Sequence, residues 1–175
     1  MYKIAITLVL IILPFFGFSQ DFFDNYEDTE GVTSVFVNND MFRLIGDIDV
    51  DTDDPEAKEF MNMIENLKNL KMLQTDDKKV ASQIVSKANS HISKNNLQEL
   101  MRVNDDGQKI KFFIQRGKDE SHVKELFMLM TGTGEKADTV VMSIKGDIDL
   151  KQISKLTKQM NIPGGEHLEK KGKNK

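Results

Sequence analysis

The chain has 175 residues, 24 of them basic and 28 acidic, for a net charge of −4, and it contains neither cysteine nor tryptophan. Without cysteine there can be no disulfide, no lipid anchor on an N-terminal cysteine, and no thiolate metal or nucleophile site. Mild acidity with no basic, aromatic-interleaved stretch argues against a nucleic-acid partner.

The N-terminus reads as a leader. Met1-Tyr2-Lys3 is a short positive region, and Ile4 to Phe18 is apolar except for Thr7. That run is shorter than the roughly 18 residues of a spanning helix, and Pro14 and Gly17 interrupt its end. Gly17 and Ser19 are small residues where a signal peptidase reads, so cleavage is expected after Ser19 or Gln20. Residues 1–20 are therefore expected to be a signal peptide. The mature protein is expected in the periplasm or outside the cell, with no transmembrane segment and no lipid anchor. Residues 21–162 suffice for one domain. Residues 163–175 are Gly-, Glu- and Lys-rich without apolar period and are expected to be a disordered basic tail.

Along the mature chain, Phe22, Phe23 and Tyr26 recur at helical spacing in an acidic lead-in. Val32, Val35 and Val37 after Gly31 predict a first strand, and Asn38 or Asn39 can cap a short helix through Met41, Phe42, Leu44 and Ile45. Gly46 to Asp54 is an acidic loop ending at Pro55, which opens a helix to about Leu67 with Ala57, Phe60, Met61 and Ile64 on one face. Leu70, Met72 and Leu73 mark a strand. Asp76 can cap the next helix, which carries Ala81, Ile84, Ala88 and Ile92 inward and stops at Asn95-Asn96.

From Leu97 the period switches to alternation. Strands are expected over Leu97 to Val103, around Ile110, Phe112 and Ile114, and over Val123 to Met130, with Asp105-Asp106-Gly107 turning the first hairpin. The consecutive apolar run Leu126 to Met130 predicts a central strand buried on both faces. Val140, Met142 and Ile144 alternate in the last strand, which Gly146 is expected to break. Asp149 then caps an amphipathic helix carrying Ile153, Leu156 and Met160. The predicted class is α+β, a mostly antiparallel sheet with helices packed on one face.

Phe23-x-x-Tyr26, Gly31-Val32-Thr33-x-Val35-x-Val37, Leu100-Met101-x-Val103-x-Asp105-x-Gly107, Gly146-Asp147-Ile148-Asp149-Leu150 and Ile153-x-x-Leu156 resemble an exported bacterial domain known as domain-of-unknown-function family 4252. The resemblance spans about Phe22 to Met160. It implies a fold and no chemistry, since its motifs are apolar and turn positions.

Candidate sites are few. Asp47, Asp49, Asp51 and Asp53, with Asp54 and Glu56, can gather hard oxygens around calcium, although Thr52 and Lys58 stand where an EF-hand loop needs glycine and glutamate. Solvation and helix capping explain the same charges. Asp147 and Asp149 follow a strand end, so a hydrolase drawing on Asp47, Asp49, Asp147 and Asp149 is a second alternative. The Gly132-Thr133-Gly134 run precedes a strand instead of a helix and so turns a hairpin. Met128 and Met130 share a strand face inside an apolar run and read as packing. His91, His122 and His167 have no metal-ligand spacing. No catalytic residue and no cofactor is expected. The leading expectation is a non-enzymatic accessory protein of the bacterial cell envelope that binds a protein or envelope component, with Phe22, Phe23 and Tyr26 as the contact residues.

Overall fold

The computed structural model describes residues 21–46, 55–105, 107–134 and 138–151. A short 3₁₀ turn, η1 (Phe22–Tyr26), leads into β1 (Thr33–Asn38) and α1 (Asn39–Gly46). Then follow α2 (Pro55–Glu65), β2 (Leu67–Thr75), α3 (Lys78–Lys94), β3 (Gln98–Asp105), β4 (Gln108–Arg116), β5 (His122–Gly132) and β6 (Thr139–Asp149). The six strands form one sheet in the order β1-β2-β6-β5-β4-β3, and every neighbouring pair is antiparallel. The α+β class follows from this arrangement. β3 to β6 form the predicted meander, β2 adds beside β6, and β1 is left as one edge.

Local chemistry sets the element ends. The Asn38 side chain accepts from the Met41 N–H at 2.9 Å and starts α1. Asp77, one residue beyond the expected Asp76, accepts from the N–H groups of Lys79 and Val80 and caps α3. At the other end Asn96 adopts a left-handed φ of 52°. The Asn96 N–H bonds the Ser93 carbonyl and the Leu97 N–H bonds the Ile92 carbonyl, the paired bonds of a Schellman stop, with Leu97 buried as its apolar contact.

Side-chain alternation gives the sheet two faces. On one, Leu73, Phe113, Phe127, Leu129 and Val141 pack against η1 and α3 through Phe22, Phe23, Tyr26, Ile84 and Ala88. On the other, Leu70, Ile114, Leu126, Ile144 and Ile148 pack with Phe42 of α1 and Ile64 of α2. The helices therefore divide between both faces, where the sequence suggested one. Two successive helical segments precede β2 and another follows it, so the chain crosses the sheet between them. Over the apolar run Leu126 to Met130, β5 is fully buried on the η1 face only; Leu126, Met128 and Met130, on the other face, are half-buried, while Val123 near its start is fully buried there.

Gly146 does not break the last strand, because β6 runs through it to Asp149. A Cβ there would lie 2.5 Å from the Asn66 carbonyl oxygen and 2.9 Å from the Leu67 Cα. Glycine is needed for that close backbone approach, at the point where the β2–β6 register shifts.

Candidate interaction surface

Three clusters of polar or exposed apolar side chains stand out from this frame. The first lies under η1, where Glu125 on β5 is only 3% exposed. His91 Nε2 of α3 lies 2.8 Å from Glu125 Oε1, and the Ser143 hydroxyl donates to the same oxygen at 2.6 Å. Burial alone would raise the Glu125 pKa. Hydrogen bonds from His91 and Ser143, with the His91 and Lys145 charges, outweigh it and hold the carboxyl below its usual range. A hydrolytic relay needs histidine between hydroxyl and carboxylate, using its two different nitrogens. Here hydroxyl and imidazole both end on one carboxylate oxygen, and Ser143 is 1% exposed. The cluster satisfies a buried charge and has no access to substrate. Beside it Asp21 pairs with Lys145 at 3.4 Å and Lys71 at 3.6 Å, and Lys71 also pairs with Asp24. Half-burial opposes ionisation of Asp21, but the two lysines hold its pKa down.

The second cluster is the turn before β5. Asp119 Oδ1 accepts from the N–H groups of Ser121 and His122 and from the Ser121 hydroxyl, and faces His122 Nδ1 at 2.8 Å. Led by the His122 and Ser121 side-chain hydrogen bonds, these contacts hold the Asp119 carboxyl well below the carboxylate range. Ser121 Oγ also faces Nδ1, at 3.2 Å, so one ring nitrogen meets both groups and no relay exists. Asp147 pairs nearby with Lys118 at 2.7 Å, both side chains largely exposed. Asp149 accepts from the Lys151 N–H at 2.9 Å, and Leu150 and Lys151 are helical, so its expected cap is present. The rest of the expected helix, with Ile153, Leu156 and Met160, falls outside the described residues.

The third cluster is the β1 end of the sheet. β1 is exposed along nearly its whole length. Val35 is 38% exposed, Phe36 56%, and on the neighbouring helices Met41, Leu44 and Phe60 are likewise exposed. Of the six strands, β1 alone carries no charged side chain. The opposite edge, β3, carries Glu99, Arg102 and Asp105, with Arg102 paired to Glu99 at 2.8 Å. Charges on an edge strand discourage another strand from adding to it, and their absence leaves the edge open.

The residues expected to make contacts are elsewhere. Phe22, Phe23 and Tyr26 are 9%, 1% and 8% exposed and form core, with the Phe22 and Phe23 rings 4.4 Å apart and both against Phe127. The exposed apolar surface is therefore at Val35, Phe36, Met41, Leu44 and Phe60. The sequence carried one signal for it, the uncharged Thr33–Asn38 strand, which valine alternation masked as an ordinary half-buried strand. Asp47, Asp49, Asp51 and Asp53 lie outside the described residues, as do the expected signal peptide and basic tail. Among the described residues no three His, Asp or Glu side chains group as metal ligands, and no helix is long and apolar enough to cross a membrane.

The sequence profile of the family described as Domain of unknown function (DUF4252) matches residues 26–156. That is most of the chain, and it runs from the last residue of η1 past the end of β6, so the chain belongs to this family. No curated protein and no solved structure matches it.

Proposed function

We propose that this member of the DUF4252 family is an exported, non-enzymatic accessory protein of the bacterial cell envelope that binds a protein partner through the β1 end of its sheet. The observation that carries the reading is the uncharged edge strand with Val35 and Phe36 exposed on its two faces, together with exposed Met41 and Leu44 of α1 and Phe60 of α2 on the helices that cover the Val35 face. Exposed apolar side chains next to unpaired strand backbone suit an added strand, whose main chain supplies hydrogen bonds and whose side chains fill alternate positions. Export is supported by the positive, apolar, small-residue order of Met1 to Ser19, which precedes the first core residue, Phe22.

The test combines location with contact. The full chain is expressed in a bacterium with a photo-crosslinking amino acid at position 36 or, as control, at position 104 on β3. The expected result is a mature chain beginning at Gln20 or Asp21 in the envelope or medium, with crosslinks from position 36 and not from 104. An intact N-terminus in the cytosol would overturn the export reading. Equal crosslinking from both positions, or none, would overturn the contact surface.

A further inference from the structure

The β1 strand reads nearly the same in both directions. Around Phe36 the order is Ser34-Val35-Phe36-Val37-Asn38: polar, valine, phenylalanine, valine, polar. We infer that the β1 edge pairs with β1 of a second copy, making a two-fold symmetric dimer whose two sheets join into one. This rests on the reading of β1 as a contact surface and names its occupant.

The geometry follows from strand pairing. Two antiparallel copies of one strand are related by a two-fold axis normal to the sheet, and opposed residues share a face. A register centred on Phe36 sets Phe36 against itself, Val35 against Val37, and Ser34 against Asn38. Every pair is then matched in kind. Aromatic and β-branched cross-strand pairs stabilise a sheet. The neighbouring register, centred on Val35, sets Ser34 against Phe36 and Thr33 against Val37, polar on apolar each time, and is disfavoured. No charge in β1 repels its symmetry mate. Val35 and Val37 share the face that carries α1, because Val37 packs with Phe42 and Leu70. The axis keeps each face on its own side, so both α1 helices, with exposed Met41 and Leu44, come to the same face of the joined sheet. β3 offers no such pairing, since Glu99 and Arg102 lie along its open edge.

The test is charge-swap complementation, because the two-fold opposes position 36 to itself. The protein is expressed with its own leader and purified as the exported chain. Sedimentation is expected to give a concentration-dependent dimer, and hydrogen exchange to show the amides of Thr33–Asn38 gaining protection as concentration rises. F36K alone and F36E alone are each expected to weaken the dimer at least about tenfold, since like charges then face each other. Mixed, they are expected to pair. F36S, which adds no charge, is expected to weaken the dimer with its fold intact by circular dichroism, and N104K on β3 to leave the dimer unchanged.

A monomer at every concentration, or F36K and F36E that stay apart when mixed, would overturn the inference. A wild-type monomer that still crosslinks from position 36 to a different protein would overturn the dimer and leave the contact surface standing. Loss of both would overturn the two together.

Discussion

Phe127 and Phe36 lie in one cross-strand row on the same face of the sheet, joined through Ser143 and Lys71, yet Phe127 is fully buried and Phe36 is 56% exposed. η1 and α3 cover the row over the central strands: Phe127 has Phe22 and Phe23 at 6.5 Å between ring centroids and the His91 ring stacked at 5.1 Å. At the edge the Lys71 ammonium leans on the Phe36 ring, 5.3 Å from its centre, and the ring stays largely in water. Residue type and face are the same in both places. What differs is cover, which the local sequence does not encode. Phe127 therefore holds the fold, and Phe36 is left exposed, free to meet a neighbour as proposed above.

The sharpest test of that division is Phe127→Ala. Removing a fully buried ring from the aromatic cluster is expected to cost about 3–5 kcal/mol, read from denaturant unfolding of the mature chain. A loss under about 1 kcal/mol would mean that η1 and α3 do not seal the centre of the sheet.

Glu125→Ala is expected to cost about 1–3 kcal/mol at neutral pH, because His91 Nε2 and the Ser143 hydroxyl lose their shared buried acceptor. The pH dependence has a definite sign. The folded-state pKa of Glu125 is depressed, so its contribution is complete above the ordinary glutamate pKa of about 4.5. It is lost as pH falls from there through the folded value. The stability gap between wild type and Glu125→Ala should therefore narrow on acidification from pH 6 to pH 3. A gap that widens would show that the carboxylate is not the stabilised form.

Asp149→Ala probes an interaction that needs no cover at all. The cap bond from Asp149 to the Lys151 N–H is local, and its loss is expected to cost about 1 kcal/mol in thermal or denaturant unfolding. Its size should stay the same in the background of F36S, since the two sites share no partner.

This division also explains what was readable beforehand. The stop of α3 at Asn95-Asn96, the Asp105–Gly107 hairpin, the meander and the Asp149 cap are all written within a few residues, and the sequence displays them. The Glu125–His91 contact joins residues 34 positions apart, and neither shows its partner in the sequence. The role of Gly146 depends on where the Asn66 carbonyl passes, so a strand that continues looked like one that ends. The aromatic lead-in Phe22, Phe23 and Tyr26 looked free because only the assembled sheet supplies the face that buries it. Conversely β1, whose valines look half-buried, becomes an open edge because β2 pairs it on one side and no described strand pairs it on the other.

Phe36→Ala should have the smallest effect on folding, and that is why it discriminates. Its side chain is mostly in water and it meets the Lys71 ammonium, so truncation is expected to cost less than about 1 kcal/mol. The measurement is unfolding at a concentration low enough to hold the chain monomeric, because dimer coupling would otherwise add to apparent stability. At higher concentration the gap between wild type and Phe36→Ala should grow, since only the wild type then gains from a second copy. A large loss in the dilute monomer would move Phe36 into the same category as Phe127. A small loss that grows with concentration would leave an exposed aromatic on an uncharged edge whose contribution comes from what binds there.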